Sequence, residues 1–208
     1  MTAAAERKRH ASVETLERGR LRRLQIIEAA TSLFSTAGYR GTGLAGIAAQ
    51  VGVTQAGLLH HFRSKEKLLQ AVIEHRSEQD APLIARIIGD GGLAMIDRLP
   101  LLAEHNQQRL GLAQLFTVLV AENMLPDDPA NAMFVARYRN LRAELVEALR
   151  AGQKRGEIRK GVDLEAVSRR VIATMDGLQT QWLLDPEEVD LVASYTELAA
   201  TLRAELQA

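Results

Sequence analysis

Residues 42–69, TGLAGIAAQVGVTQAGLLHHFRSKEKLL, decide the fold of this chain of 208 residues. Four apolar residues recur there at i, i+3, i+4 and i+7, which predicts a helix with one apolar face: Leu44, Ile47, Ala48 and Val51. Gly52 follows where a left-handed residue ends a helix at least cost, and Thr54 can cap the next helix. Helix, glycine turn and capped helix together predict a helix-turn-helix.

The second helix of this pair, Gln55 to Phe62, has two chemically different sides. Leu58 and Phe62 lie four residues apart and would face the core. Gly57 would let the backbone approach a phosphate, and Lys65 would place a cation beside the N-terminus of the following helix. The side opposite Leu58 carries an amide, an imidazole and small or apolar groups, which suit the edges of DNA bases: Gln55, Ala56, Leu59 and His60.

The longer run from Ile26 to Val72 resembles the DNA-binding domain of the tetracycline-repressor (TetR) family of bacterial transcription regulators. The resemblance rests on the AGY turn at residues 37–39, the IA pair at 47–48, the VGV turn at 51–53, and LHHF followed by SKE. It implies an all-α fold whose helix-turn-helix contacts one operator half-site. The predicted DNA-contacting positions are Thr42, Gly43, Thr54, Gln55, Ala56, Gly57, Leu59, His60, His61 and Lys65. Three positions depart from the common family pattern, which bears on the operator sequence: Gly43, Gly46 and Leu59.

Charge is balanced over the whole chain but not along it. The chain holds 26 basic and 26 acidic side chains; residues 1–80 hold 12 basic against 8 acidic, so they carry +4 and the remainder carries −4. A basic N-terminal part has the sign expected of a protein that meets DNA. Chance unevenness explains the charge distribution equally well, so the motif and not the charge carries the prediction.

Several classes of protein are disfavoured by what the sequence lacks. It has no cysteine, which fits a reducing cytosol, no apolar run of about 18–20 residues that would span a bilayer, and no apolar signal-peptide core. His60 and His61 point in different directions on a helix and have no carboxylate or cysteine at zinc spacing. Walker, dinucleotide and nucleophile-elbow motifs are missing. We therefore expect a cytoplasmic protein without a membrane partner, metal, cofactor or enzymatic activity.

The sequence divides into three predicted parts. Residues 1–19 are expected to form a flexible basic arm, disordered or loosely helical, with an arm that reaches DNA as the sharper alternative. Residues 20–66 form the helix-turn-helix DNA-binding domain, whose first helix ends at Gly38. Residues 67–208 form an effector-binding and dimerisation domain. The first helix, from about Arg20 to Ala37, contributes an apolar face that packs with Ile47, Val51, Leu58 and Phe62: Ile26, Ile27, Ala30, Leu33, Phe34 and Ala37.

Breaks in the second half of the sequence predict a C-terminal helical bundle. GDGG at residues 89–92 is a loop, and Pro100 kinks or splits a helix over residues 93–106. A helix at 110–123 is apolar on most sides, which predicts a buried central position. A long helix over residues 130–155 follows, and its charged residues are assigned to a solvated face: Arg137, Arg139, Arg142, Glu144 and Glu147.

The last two helices carry regular apolar stripes. In residues 164–184 the apolar residues recur at spacings of 3, 4, 4, 3 and 4, which is close to a heptad seam. The family resemblance implies that both helices pair with their twins in a four-helix bundle; the alternative is that the stripes complete the subunit's own core. A two-fold dimer would present its recognition helices to a palindrome. The predicted homodimer interface comprises Val167, Val171, Met175, Leu178, Trp182, Leu191, Tyr195, Leu198 and Leu202.

By resemblance, a small-molecule effector binds between the central helices of the C-terminal domain. Six residues combine apolar area with single polar groups and are the candidate lining: His105, Phe116, Asn123, Met133, Tyr138 and Gln179. The sequence therefore predicts a homodimeric repressor that binds a palindromic double-stranded DNA operator and is released by an effector. Two alternatives stay open, a ligand-independent DNA-binding or architectural protein and a helical-bundle enzyme with an attached helix-turn-helix.

Overall fold

The structure, a computed structural model, describes the backbone of residues 3–208 and the side chains of Glu14 and residues 16–208. Over this range the regular structure is helical, apart from one isolated antiparallel bridge between Ile158 and Gln207. The all-α prediction is therefore confirmed. The helices are α1 (Ala3–Gly41), α2 (Leu44–Val51), α3 (Gln55–His61), α4 (Lys65–Ile88), α5 (Leu93–Asp97), α6 (Pro100–Gln108), α7 (Leu110–Glu122), α8 (Asn131–Arg155), α9 (Leu164–Leu184) and α10 (Leu191–Leu206).

Helix α1 begins at Ala3 instead of near Arg20, where the sequence predicts the first helix to begin. Residues 3–18 are rich in alanine, glutamate, lysine and arginine, which are strong helix formers, and contain neither glycine nor proline. The backbone leaves the helical conformation at Gly38, with φ 72° and ψ 170°. The predicted end of this helix therefore lies at the kink, because that positive φ is readily adopted only by glycine.

The chain forms two compact units, one ending at His75 and one beginning at Arg76. The first unit is longer than the predicted domain, which ends at residue 66, because the beginning of α4 contributes buried side chains to it. Of the predicted core face, Leu33 and Val51 are half-buried and Ala37 is exposed. The buried apolar residues of this unit are Ile26, Ile27, Ala29, Ala30, Phe34, Tyr39, Ile47, Ala48, Leu58, Phe62, Leu68, Leu69, Ala71 and Val72.

The second unit contains the remainder of α4 and helices α5–α10. Helix α4 continues through Pro82 to Ile88. Pro100 splits the predicted helix over residues 93–106 into α5 and α6, and it occupies the start of α6, where its missing N–H removes no helical hydrogen bond. Helix α9 has the predicted bounds and is capped by Asp163, whose carboxylate accepts a hydrogen bond from Ala166 N at 3.0 Å.

The apolar stripes of α9 and α10 pack into the core of their own subunit, so most of the predicted interface residues are covered within the single chain. Helix α9 packs on α8, and α10 packs on α5 and α6. A heptad-like spacing identifies an apolar face but not the helix that covers it. Six of the predicted interface residues are buried in the single chain: Val167, Val171, Trp182, Leu191, Tyr195 and Leu202. The other three are partly buried and pack against the same clusters: Met175, Leu178 and Leu198.

The loop between α4 and α5 packs closely against α8, and glycines make this close approach possible. Gly92 has φ 69°, and its N–H donates to Ala148 O at 2.8 Å. A Cβ added at Gly152 would lie 2.5 Å from the Cα of Gly92 and 3.0 Å from the side chain of Ile158. The first distance is shorter than real Cβ contacts and the second is tighter than most of them, so this approach of loop and helix requires glycine at position 152.

We expect Gly152→Ala to destabilise the protein, although alanine favours a helix more than glycine does. The added methyl group would overpack the contact with Gly92 and lower the free energy of unfolding by about 1–3 kcal/mol. The control is Gly46→Ala in α2, where a Cβ meets nothing within 4 Å; we expect it to be more stable by roughly 0.5–1 kcal/mol. Urea unfolding followed by circular dichroism measures both. Equal effects of the two substitutions would contradict the packing described here.

Candidate DNA-binding surface and candidate effector site

The turn between α2 and α3 is held by backbone and side-chain hydrogen bonds. Gly52 is left-handed, with φ 71° and ψ 35°, and its N–H donates to Ala49 O at 3.1 Å. The following residue, Val53, donates its N–H to Ala48 O at 3.0 Å. Arg22 of α1 donates to Val51 O at 3.1 Å, so a terminal carbonyl of α2 is also satisfied. These contacts determine the direction in which α3 leaves the turn.

Helix α3 buries one side and exposes the other, as the sequence predicts. Leu58 is fully buried and Phe62 is 2% exposed. The Thr54 hydroxyl oxygen accepts a hydrogen bond from Gly57 N at 3.0 Å, which caps the helix. A Cβ at Gly57 would lie 3.3 Å from that oxygen, so glycine also leaves room for the cap. The exposed predicted contact residues of this region are Gly43, Thr54, Gln55, Ala56 and His60, while Gly57, Leu59, His61 and Lys65 are half-buried.

Thr42 faces the interior of the first unit, although the sequence places it among the DNA contacts. It is 5% exposed. Its hydroxyl donates to Gly38 O at 2.7 Å, and Leu33 O lies 3.2 Å from the same hydroxyl oxygen. The carbonyl of Gly38 needs such a donor because the helix ends at this residue. Thr42 is therefore a structural residue of the kink, and we remove its side chain from the candidate DNA-binding surface.

Two of the half-buried residues, His61 and Lys65, interact electrostatically with their neighbours. Burial lowers the pKa of His61, and the charges of His60 and Arg23 lower it further, so His61 is held in its neutral form to lower pH than usual. The ammonium of Lys65 lies 4.2 Å from the centre of the Tyr39 ring. A cation held in this way beside the N-terminus of α4 is placed to meet a phosphate with little loss of side-chain freedom.

Tyr39 links the kink to the start of α4. Its hydroxyl donates to a carboxylate oxygen of Glu66 at 3.2 Å. Burial, and then the charge of Glu66, raise the pKa of Tyr39 to about 12. Tyr39 is therefore a neutral donor at physiological pH. Its hydrogen bond to Glu66 stabilises the part of the first unit that supports α3.

A buried ionic cluster in the second unit contains His105, one of the predicted effector residues. Asp80 is buried; its two oxygens lie 2.6 Å from Arg76 Nε and 3.1 Å from His105 Nε2. Since a carboxylate only accepts, the Nε2 of His105 carries the hydrogen. One terminal nitrogen of the Arg76 guanidinium, Nη1, is buried without a hydrogen-bond partner.

Arg137 belongs to the same region, where the sequence analysis wrongly assigns it to a solvated face. Its guanidinium lies 4.8 Å from the centre of the Phe116 ring, and its Nη1 donates to Ser77 at 3.3 Å. Burial lowers the pKa of Arg137, although the negative charge of Asp80 opposes the effect. Phe116 also packs edge-to-face on Phe134, with ring centres 5.7 Å apart. The charged run on α8 therefore does not lie on one solvated face.

Two further polar networks cross the interior. Asn106 Nδ2 donates to Gln179 Oε1 at 2.6 Å, and Gln179 Nε2 donates to Thr117 at 3.0 Å. Asn106 is 3% exposed, and its Oδ1 has no partner. In the second network the Tyr138 hydroxyl donates to Asp176 at 2.8 Å, and burial raises the pKa of both groups. Gln179 and Tyr138 are thus both part of buried polar networks.

The remaining predicted effector residues differ in their surroundings. Asn123 is buried and structural, because it donates to Leu119 O at 2.8 Å and accepts from Ala130 N at 2.9 Å. Met133 is half-buried on α8. Asn123 and Tyr138 also line an open groove of about 360 Å³ between α7 and α8, together with Val120, Met124, Asn131, Phe134, Val135, Arg139 and Arg142.

The sequence analysis missed the ionic residues of this site, namely Arg76, Asp80, Arg137 and Asp176. The spacing of Arg76 and Asp80 at i and i+4 on one helix is a signal for an ion pair but does not indicate burial.

Among the described residues, no group of three or more His, Cys, Asp or Glu side chains is arranged to hold a metal ion. Within the same range, no helix has the length and apolar composition needed to cross a bilayer.

Comparison with known proteins decides the family. Residues 26–72 match the family "Bacterial regulatory proteins, tetR family", and residues 102–207 match "BetI-type transcriptional repressor, C-terminal". The chain belongs to the TetR family of bacterial regulators. It is 30% identical over 188 residues to the probable HTH-type transcriptional regulator ArpR of Pseudomonas putida, covering 86% of this chain and 88% of ArpR. It is 28% identical over 158 residues to the HTH-type transcriptional repressor AcnR of Corynebacterium diphtheriae, covering 76% of this chain and 78% of AcnR.

Solved structures agree with the TetR fold. SmeT, the repressor of the Stenotrophomonas maltophilia multidrug efflux pump SmeDEF, matches with a TM-score of 0.75 at 22% identity, over 89% of this chain and 90% of SmeT. A TetR transcriptional regulator from Chloroflexus aurantiacus matches with a TM-score of 0.78 at 24% identity, over 92% and 98% of the two chains. The predicted TetR-family membership is confirmed. The protein is a DNA-binding transcriptional regulator, and its relatives are regulators and not enzymes.

We expect Thr42→Val to lower the free energy of unfolding by about 1–2 kcal/mol, because it leaves the Gly38 carbonyl without its donor in a buried position. Thr42→Ser keeps the hydroxyl and should recover most of this loss. Thr36→Val is the control, since Thr36 is exposed and its hydroxyl bonds only within α1. Urea unfolding without DNA measures the three variants. If Thr42→Val were as stable as the native chain, the interior role of Thr42 would be refuted.

Proposed function

We propose that this TetR-family protein represses transcription by binding a palindromic operator as a homodimer, and that a small-molecule effector releases it. The observation that carries the proposal is the exposed side of α3, which presents Gln55, Ala56 and His60 while Leu58 and Phe62 anchor the helix. Amide and imidazole groups on a recognition helix are suited to base edges in the major groove. A cytoplasmic location follows from this proposal, because the operator is there.

The half-buried residues around α3 would contact the DNA backbone. Lys65 stands at the N-terminus of α4, which favours a phosphate. Gly43 and Gly57 carry no side chain that would keep the backbone from the DNA. His61, whose pKa is lowered, would act as a neutral hydrogen-bonding group and not as a cation. Backbone contacts of this kind position the protein, whereas Gln55 and His60 would read the sequence.

The effector arm of the proposal is supported by the C-terminal match and by the interior of the second unit. SmeT, whose fold this chain shares, has been solved in complex with triclosan. In this chain, buried polar groups from α4, α6, α7, α8 and α9 converge, which is typical of a small-molecule site. Coupling free energies of about 1–3 kcal/mol would weaken operator binding roughly 5–150-fold. Helix α4 belongs to both units, so we infer that it carries the coupling.

The dimer interface that we propose uses the faces of α9 and α10 opposite their buried stripes. Helix α9 exposes Leu184, which is 82% exposed, at its C-terminal end. A Cβ at Gly177 would meet nothing within 4 Å, so a partner helix has room to approach closely. Small residues dominate these exposed faces, and short side chains let helices pack at small separations: Ala166, Ala173, Thr180, Ala193, Ala200 and Ala204.

We expect Gln55→Ala to change base preference and Lys65→Ala to weaken binding to all sequences alike. Loss of a base contact relaxes specificity by about 1–3 kcal/mol at one position, whereas loss of a phosphate contact lowers the salt slope by about one. Selection of sites from random DNA and a salt titration of the selected site measure the two effects. Gln107→Ala and Lys154→Ala, at exposed positions of the second unit, are the controls. Unchanged base preference in Gln55→Ala would refute the assignment of α3 as the reading helix.

We expect Gly177→Arg to produce monomers that bind a half-site weakly. The long charged side chain would separate the two α9 helices without disturbing the subunit, since nothing in the subunit occupies that space. Sedimentation equilibrium measures the oligomeric state, and circular dichroism verifies the fold. Ala94→Arg on the exposed side of α5 is the matched control and should remain dimeric. A dimeric Gly177→Arg variant with native operator affinity would show that this face is not the interface.

A further inference from the structure

The second unit buries two arginines, Arg76 and Arg137, in the neighbourhood of two carboxylates, Asp80 and Asp176. Arg76 and Arg137 are both largely buried, and Asp80 makes its ion pair with Arg76. Among the described residues, no carboxylate lies within ion-pair distance of Arg137, whose polar contact is the hydroxyl of Ser77. A buried cation without a directly paired anion is costly, and the charges of Asp80 and Asp176 compensate the burial of Arg137 only in part.

Unpartnered atoms occur in the same interior. Arg76 Nη1 donates to nothing although it is buried, and Asn106 Oδ1 accepts from nothing. Buried polar groups are nearly always paired, so each such atom calls for a specific explanation. A ligand that brings a hydrogen-bond acceptor would satisfy the arginine atom.

Apolar surface lies directly beside the cations. The ring of Phe116 is in contact with the guanidinium of Arg137 and with the ring of Phe134. Phe134 and Tyr138 also line the groove of about 360 Å³ between α7 and α8. That volume is within the range of small-molecule sites, roughly 300–1,000 Å³. The groove therefore offers an apolar wall at Phe134, and Phe116 connects that ring to the guanidinium of Arg137, which does not itself line the groove.

We propose that the effector is a small organic acid, with an anionic oxygen bound by Arg137 and Arg76 and an apolar, ring-sized body beside Phe116 and Phe134. This inference rests on the proposed function, because it names the effector class of the same regulator. Guanidinium groups bind carboxylates through paired, charge-assisted hydrogen bonds, which a neutral amide cannot reproduce. Discrimination between an acid and its amide is therefore the property that follows from these two arginines.

Other ionisable groups face this site and are compatible with an anion. Asp80 already accepts from Arg76 and from His105, so it holds the charged end of Arg76 in place. Asp176 accepts from Tyr138 and makes no ion pair with Arg137, although its charge acts on that guanidinium. His105 donates to Asp80 and contributes no additional negative charge. Two further arginines on α8, Arg139 and Arg142, line the outer groove; Arg139 is exposed and Arg142 is half-buried.

The test compares four acids with their primary amides: 1-naphthoate, 2-naphthoate, salicylate and octanoate. Binding to the full chain is measured by thermal shift and by titration calorimetry. We expect at least one acid to bind roughly tenfold tighter than its amide, since a hydrogen bond to a charged group is worth about 1.5–3 kcal/mol. Arg137→Met should abolish that preference, and Arg150→Met, the same change at an exposed position of α8 outside the groove, should keep it.

Two outcomes would overturn the proposal. One is that no acid binds better than its amide; the other is that Arg137→Met retains the preference of the native chain. Circular dichroism and binding of the selected operator show that Arg137→Met is folded. Because the acid–amide comparison needs no DNA, its failure with intact operator binding refutes the effector class alone. Failure to bind any selected DNA would instead refute the proposed function.

Discussion

The apolar stripe of a helix can be buried against only one set of neighbours. This constraint determines which sides of α3, α9 and α10 stay exposed for a partner. In α3, burial of Leu58 and Phe62 in the first unit leaves Gln55 and His60 for an outside partner. In α9 and α10, the stripes are covered by α5, α6 and α8. The dimer that we propose therefore uses the opposite faces, where most of the exposed side chains are small.

The turn between α2 and α3 is also stabilised by contacts that leave the exposed side of α3 unused. Gly52 takes the left-handed conformation, Arg22 satisfies the carbonyl of Val51, and Thr54 caps α3. Each contact fulfils a backbone requirement at a helix end, so none of them uses the outer side of α3. The surface proposed to read DNA is consequently not used by the hydrogen bonds that hold the turn.

The second unit combines a conventional apolar core with polar groups that lower its stability. An interior designed only for stability would not contain Arg137 without a carboxylate or leave Arg76 Nη1 and Asn106 Oδ1 unpaired. Such groups gain free energy when a complementary ligand binds. That gain is available to shift a conformational equilibrium, which is what a regulator requires of its effector.

The amino-acid sequence by itself determined the helices, most of their ends and which side of α3 is exposed, because these depend on local spacing, glycine and capping residues. It also determined the family, through motifs concentrated in residues 26–72. It could not show that Thr42 turns inward, since that depends on where the Gly38 carbonyl points. Only the tertiary structure decided which helix covers the stripe of α9 and that Arg137 is buried, because an apolar or charged periodicity describes a face without naming the residues packed against it.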